Sequence, residues 1–174
     1  SAELLEHMST ADVASDLDLI REAVGDEQLT YLGYSYGTAI GAAYATMFPE
    51  STRALVLDGS VSPGASDEDI TLAQAQGFEN TYARFVEQCN ASPDCPLAPD
   101  AAAAVEAVRT RLATDPIRSD GPAGARELGP DQFDVALATA LYDTSLWGTT
   151  ARAIAEIDDA GSEVLWTLLD RQTG

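Results

Sequence analysis

The residues whose types and spacing point most directly to chemistry are Gly33-Tyr34-Ser35-Tyr36-Gly37, inside the stretch LTYLGYSYGTAIG that runs from Leu29 to Gly41. A short apolar run leads in and a helix-forming run leads out. G-x-S-x-G between a strand and a helix is a sharp turn that holds a serine in a strained conformation with its hydroxyl exposed, a nucleophile elbow. The spacing has a steric reason. The residues two before and two after the serine sit where strand and helix nearly touch, so Gly33 and Gly37 are expected there as the smallest side chains. Ser35 is the candidate nucleophile. The backbone N–H of Tyr36, at the start of the helix, is placed to donate to an oxyanion. Gly41, one turn on, suggests that the helix packs close to the strand. The five-residue string alone is common, and its strand–turn–helix context is the stronger signal.

The elements that must position Ser35 follow from the patterning on either side. Ser9-Thr10-Ala11-Asp12 reads as a capping box opening a helix over residues 9–25, with Val13, Leu17, Ile20 and Val24 as its apolar stripe and Gly25 at its end. Leu29-Thr30-Tyr31-Leu32 is the strand into the elbow. The elbow helix is predicted over residues 36–48, stopped by Pro49, with Ile40, Ala43, Tyr44 and Met47 buried. Arg53-Ala54-Leu55-Val56-Leu57 reads as a parallel strand buried on both faces, ending at Asp58-Gly59. Residues 9–58 thus spell a βαβ unit preceded by a helix.

After Asp58 no convincing strand is predicted. Ser66 to Asp69 is a second capping box, opening a helix that carries Ile70, Phe78, Tyr82, Phe85 and Cys89. Asp100 caps an Ala-rich helix with Val105, Val108 and Leu112. Residues 115–130 are Pro/Gly-rich and polar, a long loop or hairpin-like excursion. Further helices are predicted around Phe133, Leu137 and Leu141, around Trp147, Ile154 and Ile157, and around Val164, Leu165 and Leu168. The aromatic stripe Phe78/Tyr82/Phe85 is read as packing. The domains expected are therefore a partial core over residues 1–60 and an all-helical segment over residues 61–174.

Composition narrows the function classes. The 174 residues carry a net charge of −20, with nine Arg and no Lys. That charge argues against nucleic acid or an anionic membrane surface as partner. No apolar run is long enough for a membrane span, and Ser1-Ala2-Glu3, without a charged n-region and h-region, is not expected to open a signal peptide. A chain that opens without Met and goes almost directly into a helix is expected to be an internal piece of a longer protein. Cys89 and Cys95, in CNASPDC, suit either a small disulfide loop or two reduced thiols; without a nearby His no metal site is expected, and no cofactor is implied. Asn90-Ala91-Ser92 is formally a glycosylation sequon within that loop.

Taken together, LTYLGYSYGTAIGAAYATMFPESTRALVLDGSVSP resembles the elbow region of secreted bacterial tripeptidyl aminopeptidase-like α/β-hydrolases, relatives of the proline iminopeptidases. Thr10-Ala11-Asp12, Asp16-Leu17-Asp18 and Arg21 are similar to the helix before the elbow strand. Gly37-Thr38, Tyr44-Ala45, Phe48-Pro49 and Leu57-Asp58-Gly59 continue the likeness, as do Cys89, Cys95-Pro96-Leu97, Leu141-Tyr142 and Trp147. The resemblance implies an α/β fold: a partial α/β-hydrolase core (βαβ with nucleophile elbow) plus an all-helical cap inserted after the strand ending at Leu57. It also implies a Cys89–Cys95 disulfide, a secreted or cell-envelope protein, and an exopeptidase acting on a free N-terminus. The partners implied are a peptide or small ester substrate and the remaining segments of the parent hydrolase.

A serine hydrolase also needs a general base and an acid to orient it, and in this fold they follow the serine in chain order. The one histidine, His7, precedes Ser35 and is read as a surface residue. Asp58 ends a core strand and is read as a turn residue bonding its own backbone. The base, the acid and the second oxyanion donor are expected outside this chain, which alone is expected to be inactive. The alternatives are an esterase, lipase or acyltransferase on the same fold, or a non-catalytic binding module.

Overall fold

The computed structural model describes residues 4, 6–62, 64–121 and 124–173. The chain divides into two compact units, residues 1–73 and 74–174.

The first unit is built from three local signals and one long-range pairing. Helix α1 (Thr10–Val24) begins with the predicted box: the Ser9 hydroxyl accepts from the Asp12 N–H at 3.2 Å, and the Asp12 carboxylate accepts from the Ser9 N–H at 3.1 Å. It ends at Gly25. Strand β1 (Leu29–Tyr34) runs into α2 (Tyr36–Met47), a 3-10 turn follows at Pro49–Ser51, and β2 (Thr52–Asp58) returns parallel to β1 with Tyr34 opposite Asp58.

Helix α2 lies against β1 at a distance set by missing side chains. A Cβ on Gly33 would stand 2.6 Å from the Gly37 carbonyl oxygen, and one on Gly41 would stand 2.7 Å from Leu57 Cδ2. Both would also strike the Tyr31 ring, at 2.7 Å and 2.9 Å. The ring of Tyr31 therefore fills the slot between strand and helix that the glycines leave open. Its hydroxyl donates to the Gly37 carbonyl at 2.8 Å.

Three burial expectations need correction in this unit. The buried line of α2 is Thr38, Gly41 and Tyr44, while Met47 is exposed. Close approach favours the small residues, so the contact line is rotated away from the larger apolar ones. Strand β2 is covered on one face only: Leu55 and Leu57 are half-buried towards α2, whereas Val56 and, on β1, Leu32 are exposed. On α1, Val13, Ile20 and Val24 are exposed, and the buried side chains are Ala14 and Arg21.

Arg21 is buried because its guanidinium is fully engaged. It donates to the Asp18 carboxylate at 2.7 Å and to the Asp26 carbonyl at 2.6 Å, and the Tyr44 hydroxyl donates to the same Asp18 oxygen at 2.7 Å. This triad joins α1 to α2 through polar groups. The Arg21 hydrogen bond, and after it that from Tyr44, holds the Asp18 carboxyl below the usual carboxylate range. Among the described residues, Tyr44 is the one large side chain of this unit that is fully buried.

Helix α3 (Asp67–Ala91) contains the division between the units. The Ser66–Asp69 capping box that opens it is present as predicted.

The second unit has a conventional apolar core. It comprises α4 (Ala101–Thr114), the antiparallel hairpin β3 (Ile117–Gly121) and β4 (Gly124–Leu128), α5 (Pro130–Leu141), α6 (Trp147–Ala155), a π turn at Ile157–Gly161, and α7 (Ser162–Thr173). Phe85, Val105, Leu112, Phe133, Ile154 and Leu165 are buried at its centre, each contributing about 1.5–3 kcal/mol by burial. Trp147 meets Phe85 edge-on with ring centroids 5.8 Å apart. The disulfide joins Cys89 at the end of α3 to Cys95, with Cα atoms 5.3 Å apart. Asn90 is used structurally as well: its side-chain oxygen accepts the N–H of Ala101 at the start of α4.

The hairpin shows that residues 61–174 are helical with one β element rather than helical throughout. It falls in the Pro/Gly-rich stretch. Arg126 of β4 fixes it to α7, its guanidinium 4.0 Å from the centroid of the Trp166 ring and hydrogen-bonded to both oxygens of Asp170, at 3.0 and 2.5 Å.

Candidate active site

Ser35 sits between β1 and α2 with φ +51° and ψ −122°, the one non-glycine residue at positive φ among the described residues. Such a conformation costs on the order of 1–3 kcal/mol and persists only where neighbours hold it. Here the holding contacts are visible. The Ser35 N–H donates to the Asp58 carbonyl at 2.9 Å, and the Ser35 carbonyl accepts from both the N–H and the hydroxyl of Thr38, at 2.9 and 2.6 Å. Hydrogen bonds worth about 0.5–1.5 kcal/mol net each are, as a set of three, of the size needed to hold that strain.

The side chain of Ser35 is exposed, and its hydroxyl has no hydrogen bond among the described residues. Tyr36 occupies the first position of α2, where a helix has no internal acceptor for its N–H. A negative charge developing beside Ser35 would meet that N–H and the positive end of the helix dipole. The Tyr36 phenol is turned elsewhere, sharing a hydrogen bond of 2.6 Å with the Thr10 hydroxyl at the start of α1.

Gly33 and Gly37 occupy the closest approach of strand and helix, but unequally. At Gly33 a side chain would strike backbone. At Gly37 it would meet only the Tyr31 hydroxyl, at 3.2 Å.

The structure does not bring a base or an acid to Ser35 among the described residues. His7 is exposed in the turn ahead of α1, where its N–H donates to the Leu4 carbonyl. Asp58 acts through its backbone carbonyl. Its carboxylate is exposed and has no hydrogen bond among the described residues, so the expected bond to its own backbone is absent. No group of His, Cys, Asp and Glu among the described residues is arranged to hold a metal ion. No helix among them is long and apolar enough to cross a membrane.

Two contributors escaped the sequence reading. Thr38 carries the Ser35 carbonyl, and its signal was a hydroxyl three residues after the nucleophile on the inner face of the helix. Tyr31, two residues before Gly33, supplies the ring that the glycines accommodate.

Comparison with known proteins agrees with this geometry. The alpha/beta hydrolase fold family matches residues 1–146. The chain is 40% identical to serine protease Hip1 of Mycobacterium tuberculosis over 95% of its length and 33% of that protein. It is 33% identical to the tripeptidyl aminopeptidase of Streptomyces lividans over 90% of the chain and 29% of that protein. It is 37% identical to carboxylesterase B of Mycobacterium tuberculosis over 82% of the chain and 28% of that protein. The chain thus spans about a third of the length of these relatives. With an elbow serine at positive φ between a parallel strand and a helix, and with this match over most of its residues, the chain belongs to the α/β-hydrolase fold family.

Proposed function

We propose that Ser35 is the nucleophile of a serine hydrolase and that the complete enzyme is an exopeptidase releasing short peptides from a free N-terminus. The observation that carries the reading is the strained, exposed Ser35 at the N-terminus of α2. In the proposed reaction Ser35 Oγ attacks the scissile carbonyl carbon, giving up its proton to a histidine that these residues do not supply. The oxyanion is held by the Tyr36 N–H and a second donor. The C–N bond then breaks, the leaving amine takes the proton, and water hydrolyses the acyl-enzyme. Residues 1–60 serve as part of the catalytic core and residues 61–174 as its cap. Exposed Leu32 and Val56 are then covered by further segments of the longer hydrolase, and these 174 residues alone have no turnover. The Cys89–Cys95 disulfide supports an extracytoplasmic location.

The test is labelling of the full-length protein by a fluorophosphonate, with and without Ser35→Ala. Labelling is expected to vanish in the variant; labelling that survives would refute the assignment. The likeness to a carboxylesterase favours a second reading, an esterase on the same elbow. Turnover of aminoacyl-nitroanilides against short acyl esters separates the two.

A further inference from the structure

We propose that Thr38 is a positioning residue for the nucleophile, which its hydroxyl ties to the segment following β2. The proposal rests on the reading of Ser35 as nucleophile. Thr38 is buried, with 1% of its surface exposed. Its hydroxyl donates to the Ser35 carbonyl at 2.6 Å and accepts the N–H of Val61 at 2.9 Å. The end of β2, just before that segment, holds the other side of Ser35, since the Ser35 N–H donates to the Asp58 carbonyl at 2.9 Å. Gly59 lies between these two contacts at φ +70°, and a Cβ there would stand 3.7 Å from the Ser35 nitrogen. Residues 58–61 therefore wrap the serine, with Asp58 holding its N–H directly and Val61 holding its carbonyl through Thr38.

A hydroxyl is the group this position needs. It must give one hydrogen bond and take one at the same point, inside a volume the size of a threonine side chain. Valine matches the shape and can do neither, so it leaves the Val61 N–H without its acceptor and releases one of the two bonds on the Ser35 carbonyl. The strained peptide then has a weaker hold, and the Ser35 hydroxyl and the Tyr36 N–H lose their fixed relation. Thr38 touches no substrate in this scheme. Its removal is expected to slow the chemical step and to leave substrate binding nearly unchanged.

The experiment uses the full-length protein, a fluorophosphonate and a short acyl p-nitrophenyl ester. Thr38→Val is expected to lower the labelling rate and kcat by about 10-fold or more, the scale set by small misplacements of a reacting group, with KM within about 2-fold. Thr38→Ser keeps the hydroxyl and is expected to stay within about 3-fold of the parent. If Thr38→Val does not fold, Thr38→Ala against Thr38→Ser makes the same comparison. Unchanged rates in the hydroxyl-free variant, or an equal loss in Thr38→Ser, overturn the proposal. Ser35→Ala serves as a separate arm: labelling that survives there refutes the nucleophile and not the bridge.

Discussion

Substitution of Gly33 by alanine is the sharpest perturbation of the elbow. The new methyl would lie 2.6 Å from the Gly37 carbonyl oxygen, 2.7 Å from the Gly37 carbonyl carbon and 2.7 Å from Tyr31 Cε1. The first two are backbone atoms and cannot swing aside. Restoring ordinary contact at about 3.4 Å requires β1 and α2 to separate by roughly 0.8 Å, and overpacking of this kind costs about 1–3 kcal/mol. The displaced helix tilts the Ser35–Tyr36 peptide and so re-aims the Tyr36 N–H relative to the Ser35 hydroxyl. A misplacement approaching 1 Å costs on the order of 100-fold in rate. Gly37→Ala meets only the end of a side chain, the Tyr31 hydroxyl at 3.2 Å, and is expected to be milder on both counts. Fluorophosphonate labelling kinetics and thermal unfolding of the full-length variants measure the two effects together. Equal labelling rates for Gly33→Ala, Gly37→Ala and the parent would show that this contact does not set the nucleophile's position.

Two further outcomes are expected. The Asp18 carboxyl is held below its ordinary value of about 3.9 by Arg21 and Tyr44, so the unfolded chain takes up the proton first as pH falls. Its stabilisation is complete above about pH 5 and is lost as pH drops through the ordinary value towards the folded one. Melting curves between pH 3 and 7 are expected to show a smaller acid loss in Asp18→Asn; an unchanged slope would discount the triad. Gly77 lies inside α3 in open space, with nothing but its own chain neighbours and helix backbone within 4 Å of the point where a Cβ would stand. Gly77→Ala is therefore expected to raise stability by about 0.5–1 kcal/mol, read from the denaturant midpoint.

What was legible in the sequence was what is encoded within a few residues. The elbow was readable because its backbone path admits few residue types at Gly33, Ser35 and Gly37. The caps at Ser9, Ser66 and Asp100 were readable because donor and acceptor lie three residues apart. The core of the second unit was readable because helical periodicity marks Phe133, Leu137, Ile154 and Leu165. Burial in the first unit was not, since an apolar residue such as Val56 or Ile20 announces only that it can be covered. The Asp18–Arg21–Tyr44 triad was also hidden, because Asp18 and Tyr44 lie on two helices and 26 residues apart in the chain. The hairpin stayed open against a long loop, because its sequence is polar and Pro/Gly-rich and the residue that anchors it finds Asp170 44 positions away.

The slot occupied by Tyr31 has a further consequence for motion. An aromatic ring turns about its long axis only when its neighbours make room. This one is bounded by the backbone at Gly33 and Gly41 and tethered by its hydroxyl to the Gly37 carbonyl. On that side it turns more freely when strand and helix part. In a protein labelled selectively at tyrosine, the exchange between the two sides of the Tyr31 ring becomes a clock for how often the turn carrying Ser35 loosens.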